Sequence, residues 1–195
     1  MENVRGIFME NFKKFKSLTV ATDFSEASDF ALTEGAAWAE CFGWTPRLIH
    51  LDQVMRSMRN VTGYLNEPPA ELTDFEKVIE ENILSSHKQQ LSRVGLTEKL
   101  REFRILNGNP RETINEYNRE LESGLLVLGA KGHTKMEKLL IGSLADMMMK
   151  HSEIPVLLAK SGSAPLPKRI LFATDFSEAS KEALIWTAYL GKKFN

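Results

Sequence analysis

Short apolar runs alternate along this chain with longer segments whose apolar residues recur at helical spacing. Residues 17–23, SLTVATD, are an apolar, β-branched run ending in a carboxylate, and Ser25 with Glu26 then opens a helix by capping. Ala27, Ala31, Trp38 and Phe42 can share one face of that helix, which stops near Gly43. Residues 47–52, RLIHLD, form the second predicted strand. A long connection follows from 52 to 70, broken by Gly63, Pro68 and Pro69, and is expected to be a lid or an interaction surface. Leu72, Phe75, Val78, Ile79, Ile83 and Leu91 give the apolar stripe of a second helix ending at Gly95. Residues 102–107, EFRILN, are a third strand. Asn109, Pro110 and Glu112 then supply the N-cap, first position and capping-box acid of a helix with Ile114, Tyr117 and Leu121 on its stripe.

The fourth strand is the continuous apolar run 125–129, LLVLG, as in a buried parallel sheet. Residues 143–151, SLADMMMKH, are read as a helix with Ser143 as its N-cap, and 154–160, IPVLLAK, as the fifth strand. Alternating strands and helices of this kind predict an α/β fold with right-handed crossovers. Such sheets bind ligands beyond the carboxyl ends of their strands, where the strand order reverses. If strands 1 and 4 are neighbours at that reversal, Asp23 and the segment after Gly129 face one crevice.

That segment, GAKGHTKMEKLLIGS at 129–143, carries the candidate chemistry. It places Gly129, Gly132 and Gly142 between a strand and a helix start, with Ser143 directly after the third glycine. Glycine lets the backbone approach a ligand closely, and a helix N-terminus offers unpaired N–H groups to phosphate. The spacing is neither GxxxxGK[ST] nor GxGxxG. A phosphate-bearing ligand, foremost a nucleotide, is expected here; the competing reading is a purely structural turn. Lys131 and His133 are either solvated loop residues or further phosphate contacts.

Composition narrows the alternatives. A formal net charge of −1 gives no general reason to expect nucleic-acid binding. No apolar run approaches the roughly 20 residues that span a bilayer, and residues 1–16 lack a signal-peptide pattern. The single cysteine, Cys41, is expected to be a buried small hydrophobe and fits a cytoplasmic location. His50, His87 and His151 do not form a metal-ligand spacing, and Met147, Met148 and Met149 are expected in packing. No catalytic constellation is evident, so enzymatic activity is not expected beyond, at most, slow hydrolysis of a bound nucleotide.

The chain also repeats itself: ATDFSEAS occurs at 21–28 and again at 173–180, with Phe42 and Phe194 in register. Eight identical consecutive residues argue for an internal duplication. The organisation expected is an N-terminal extension at 1–15, a complete domain at 16–160, a linker at 161–167, and a partial second repeat at 168–195. The repeat should form a strand at 169–175 and a helix at 177–192, packed on the first domain or on a second chain.

The strand ending in ATDFSEAS, the GNPRETI helix entry, the GAKGH…IGS loop and HSEIPVLLAK together resemble the universal stress protein family over about residues 14–160. The resemblance implies a Rossmann-like, adenine nucleotide-binding type of fold: five parallel strands in the order 3-2-1-4-5, flanked by helices. It implies a regulatory stress-response protein that binds ATP, accompanied by Mg²⁺ or Mn²⁺, and forms a homodimer through strand 5; the partial repeat is the other expected dimer contact. By the same resemblance Asp23 lies near ribose or adenine, flanked by Thr22 and Ser25, and Leu51 lies near adenine. Gly129 and Gly132 line the ribose–phosphate path, while Gly142, Ser143 and Leu144 hold phosphates. A weak ATPase using Asp23 or His133, and a nucleotide-free homodimeric scaffold, are the alternatives.

Overall fold

A computed structural model describes residues 14–52, 70–97, 99–100, 102–130, 141–162 and 164–194. The first apolar run forms β1 (Ser17–Thr22), every residue of which is buried. Helix α1 (Glu26–Phe42) follows, capped by the Ser25 side chain and ended by Gly43 in the left-handed conformation at φ 70°. The chain continues through β2 (Thr45–Leu51), α2 (Ala70–Val94), β3 (Phe103–Leu106) and α3 (Pro110–Glu120). It ends with β4 (Ser123–Gly129), α4 (Ser143–His151), β5 (Val156–Ala159) and α5 (Glu178–Lys193). The Asn109 cap and the proline in the first turn start α3 as its sequence requires.

The five strands form one parallel sheet in the order β3-β2-β1-β4-β5. Right-handed crossovers to opposite sides of β1 put α1 and α2 on one face and α3 and α4 on the other. Strand residues alternate between the two cores accordingly. Leu18, Val20, Leu48, Leu125 and Val127 pack with Ala31, Leu32 and Leu91. Ala21, Ile49, Leu126 and Leu128 pack with Ile114, Ala145 and Met148. Where β1 and β4 begin, the buried hydroxyls of Ser17, Thr19 and Ser123 bond to one another at 2.9–3.0 Å, so these polar groups are paired inside the sheet.

Four sequence expectations need correction. Residues 169–175 are not a strand: an extended segment becomes one only through ladder bonds to a neighbour, and this one has none among the described residues. Its Leu171 is 95% exposed. The helix that follows does form, and Trp186, Leu190 and Phe194 of that C-terminal unit pack against the first core. Phe194 meets Trp38 edge-on at 5.0 Å, and Trp38 donates its indole N–H to the Pro165 carbonyl at 3.0 Å. Second, Cys41 is half-exposed rather than buried. It lies on the side of α1 that faces α5, with its sulfur near the Lys193 carbonyl. Third, the stripe on α2 is only partly covered: Ile83 and Leu91 are buried, but Phe75 and Val78 are about half exposed. Both buried residues of the stripe fall in the C-terminal half of this 25-residue helix. Fourth, the N-cap of α4 is Gly142, as described next.

Candidate functional site

The carboxyl ends of β1 and β4 lie side by side, because the strand order reverses at this pair. Asp23 and Gly129 therefore both stand at the switch point of the sheet. On the β1 side the chain makes a tight turn. Ser25 donates both its N–H (3.1 Å) and its hydroxyl (2.5 Å) to Asp23 Oδ1, and the same hydroxyl oxygen accepts the Ser28 N–H. Phe24 between them sits at φ 64°, unusual for a bulky residue.

Thr22 is 5% exposed and turned inward. Its hydroxyl oxygen accepts the Phe24 N–H at 2.9 Å and donates to Gln90 Oε1 at 2.7 Å. Gln90, fully buried on α2, donates in turn to Ser28 Oγ at 2.9 Å and Asp29 Oδ1 at 2.7 Å. Arg93, one turn further on, clamps both Asp29 oxygens at 2.7 and 2.8 Å. Helix α2 is thereby locked to the turn after β1. Phe24 also stacks on His50 at 4.6 Å and lies 6.4 Å from Phe103, which stacks on His87 at 4.0 Å. Burial, with Lys88 as a second cause, holds the His87 imidazole below its usual range.

On the β4 side the glycine at 129 answers first to the protein itself. A Cβ there would lie 2.6 Å from the Ala27 carbonyl oxygen, so the first turn of α1 can rest on the end of β4 only over a glycine. The base of the loop is closed where the Gly142 N–H donates to the Ala130 carbonyl at 3.0 Å. Gly142, extended at φ −60° and ψ 149°, is the N-cap of α4 and makes no side-chain cap bond. Its carbonyl accepts the first intrahelical bond, from Asp146 N–H at 2.8 Å. Ser143 is thus the first helical residue rather than the cap, and its exposed side chain is not used in capping. Leu144 is half-buried in the second core. Lys131, Gly132 and His133 lie outside the described residues.

Leu51 closes β2, paired with Leu106 of β3 and partly buried in the second core. Two polar residues that sequence reading passed over stand at the same rim. Asp52 follows β2, is 5% exposed and donates its N–H to the Leu106 carbonyl at 3.0 Å. Asn107 follows β3, and its buried Oδ1 accepts no hydrogen bond from the described residues. Their signal was positional: each is the polar residue next after a strand, where such sheets bind ligands. An open groove of about 660 Å³ runs along the α1–α2 seam, lined by Phe24, Phe30, Asp29, Arg93 and Val94 among others. It shares Ser25 with the predicted site but no residue of the β4–α4 junction. Among the described residues no helix is long and apolar enough to cross a membrane, and no cluster of His, Cys, Asp or Glu could hold a metal.

A doubly wound parallel sheet with a glycine-bearing loop at its switch point defines the class. Residues 14–160 match the model of the universal stress protein family, and the chain belongs to that family. It is 27% identical over 161 residues to universal stress protein MJ0577 of Methanocaldococcus jannaschii, covering 75% of this chain and 95% of that one. A universal stress protein of Thermus aquaticus is 27% identical over 147 residues, covering 75% and 99% of the two chains. The solved structure of MJ0577 superposes with a TM-score of 0.55 at 24% identity over 77% of this chain and 99% of that one. A universal stress protein structure from Archaeoglobus fulgidus DSM 4304 aligns with 91% of this chain but 63% of its own length, at TM-score 0.59 and 19% identity. These superpositions establish the fold.

Proposed function

We propose that this protein is an ATP-binding regulatory member of the family, acting through nucleotide-dependent conformation or association. The observation that supports this reading is the junction at the switch point. The Gly142–Ala130 bond brings the start of α4 back to the end of β4, beside the Asp23 turn. The first N–H groups of an α-helix have no acceptor within the helix and carry its positive dipole end, so a phosphate is a suitable acceptor for Ser143 and Leu144 N–H. Asp23 and Ser25, already coupled by hydrogen bonds, present carboxylate and hydroxyl to a ribose. The unpartnered Asn107 Oδ1 is an acceptor fitted to a donor such as an exocyclic amine or a sugar hydroxyl. Thr22 acts by holding the turn, because its hydroxyl is committed to Gln90 and Phe24. Gly132, Lys131 and His133 complete the phosphate side on their sequence position alone. A divalent Mg²⁺ or Mn²⁺ would be carried by phosphate oxygens and water.

Isothermal titration with ATP tests the reading, using wild type beside Gly132→Val and Ser143→Ala. Micromolar binding that is lost in Gly132→Val and weakened in Ser143→Ala supports it. A folded, nucleotide-free wild type that binds no ATP would falsify it.

A further inference from the structure

The turn that follows β1 is built a second time, but the segment before it lacks the ladder of β1. Thr174 and Ser180 share a hydroxyl bond at 2.9 Å, as Thr22 and Ser28 do, so residues 169–175 stand to α5 as β1 stands to α1. β1 lies between β2 and β4 with every residue buried. Residues 169–175, RILFATD, run without turn or bend and have no ladder partner among the described residues. Leu171 is 95% exposed there, whereas Phe172, the counterpart of Val20, is half-buried. The Trp38–Pro165 hydrogen bond fixes the chain before the segment, and the packing of Trp186, Leu190 and Phe194 fixes the helix after it. An apolar strand presented in this way is a template for pairing with another strand.

Symmetry and charge select the partner. Arg169 and Asp175 are both exposed and mark the two ends of the segment. An even number of positions separates them, so they share one face of the strand. Parallel, in-register pairing of two such segments would set each charge beside its own copy. In an antiparallel pair, directly opposed residues share a face, and a two-fold axis between the strands keeps every residue on its own face. The residue at the axis therefore opposes itself, and the others are opposed in pairs around it. Of the centres within 169–175, only Phe172 brings the charged ends together: Arg169 meets the partner's Asp175, and Asp175 meets the partner's Arg169. Leu171 then lies opposite the partner's Ala173. The two Phe172 rings form a cross-strand aromatic pair on the half-buried face.

We propose that residues 169–175 pair antiparallel with the same residues of a second copy of this chain, across a two-fold axis at Phe172. The contact lies wholly within the second repeat and uses neither edge of the five-stranded sheet. It closes on itself, because both copies present the same element. Backbone ladder bonds supply the association, with α5 behind each strand, and the charges at the two ends fix the register.

Disulfide trapping in the full-length protein tests both the contact and its register, on a Cys41→Ser background with circular dichroism to verify folding. Under mild oxidation Phe172→Cys places two thiols opposite each other and should link into a covalent dimer about tenfold faster than Leu171→Cys. Chance collision would give the reverse order, since position 171 is the more exposed. Mixing Leu171→Cys with Ala173→Cys keeps Phe172 in place and should give the mixed disulfide in preference to either homodimer. Adding Arg169→Glu to Phe172→Cys should slow its linking about tenfold, both ends of the two-fold contact counted. No covalent dimer from Phe172→Cys, linking at 171 as fast as at 172, or a rate unchanged by Arg169→Glu would each overturn the proposal. Association through any other surface leaves the thiol at 172 unlinked and counts against it in the same way.

Discussion

Phe24 and Phe176 stand at equivalent positions of the two repeats and hold the same left-handed backbone, at φ 64° and 62°. In both copies the aromatic N–H donates to the preceding threonine hydroxyl at 2.9 Å, and the serine that follows donates its N–H to the aspartate. In the second copy the Ser177 hydroxyl and N–H, in that order, hold the Asp175 carboxyl below its usual range. Yet Phe24 is stacked on His50, whereas Phe176 is 87% exposed. The turn is therefore set by its own hydrogen bonds and not by what packs on it.

The same substitution should then have different outcomes in the two copies. A glycine in place of either phenylalanine relieves a left-handed strain of about 1–2 kcal/mol, while the freer unfolded chain offsets roughly 0.5–1 kcal/mol of it. Phe176→Gly should change stability by no more than about 1 kcal/mol. Phe24→Gly also loses its contacts with His50 and Phe103 and should cost roughly 1–3 kcal/mol. Chemical denaturation of both variants checks the contrast.

Gln90 joins α2 to the turn, and its removal should be felt by several groups at once. Gln90→Ala leaves the Thr22, Ser28 and Asp29 side chains each short of a buried partner, at a cost of about 2–4 kcal/mol. The Thr22 hydroxyl keeps Ser28 Oγ as an acceptor at 2.9 Å, and the double variant Thr22→Val with Gln90→Ala should lose less than the sum of the two single losses because both act in one network. Additive losses in a double-mutant cycle would show that the two residues are not coupled.

Two glycines of the predicted site should separate stability from binding. Gly129→Ala forces a Cβ against the Ala27 carbonyl and should destabilise the protein by roughly 1–3 kcal/mol, with or without nucleotide. Gly132→Val should leave the melting temperature nearly unchanged and abolish ATP binding. Thermal melts in the presence and absence of ATP read both effects.

His87 gives stability a pH dependence of known sign. Burial disfavours its charged form, so its folded-state pKa lies below the unfolded value of about 6.5. Between those two values the unfolded chain binds more protons, so stability is fullest above about pH 6.5 and declines as the pH falls through the folded pKa. Glu34, whose carboxyl is pushed up by burial, contributes with the opposite sign. Denaturation midpoints from pH 7.5 to 5.5 should therefore fall in wild type. They should fall less in His87→Phe, a substitution that keeps the ring stacked on Phe103. An identical slope in the two proteins would show that His87 does not supply it.

The sequence by itself determined whatever depends on a few neighbouring residues. Ser25 and Asn109 cap their helices through their own side chains, and Gly43 ends α1 in a conformation glycine reaches without strain. The apolar runs read at 17–23 and 125–129 fall on β1 and β4, because a strand buried on both faces must be apolar nearly throughout; the Ser123–Gly124 start of β4 was not legible. Tertiary structure decided what depends on distant partners. Residues 169–175 read as a strand but have no ladder partner among the described residues, and Phe75 and Val78 of the α2 stripe stay about half exposed. Gly129 is needed for the backbone of α1, a contact made across a hundred residues of chain. Gln90 completes a network with Thr22 and Asp29 that no local pattern announces. Local hydrogen bonds and periodicity are written in consecutive residues; the partner of a strand edge or of a buried carboxamide is fixed only when the chain closes on itself.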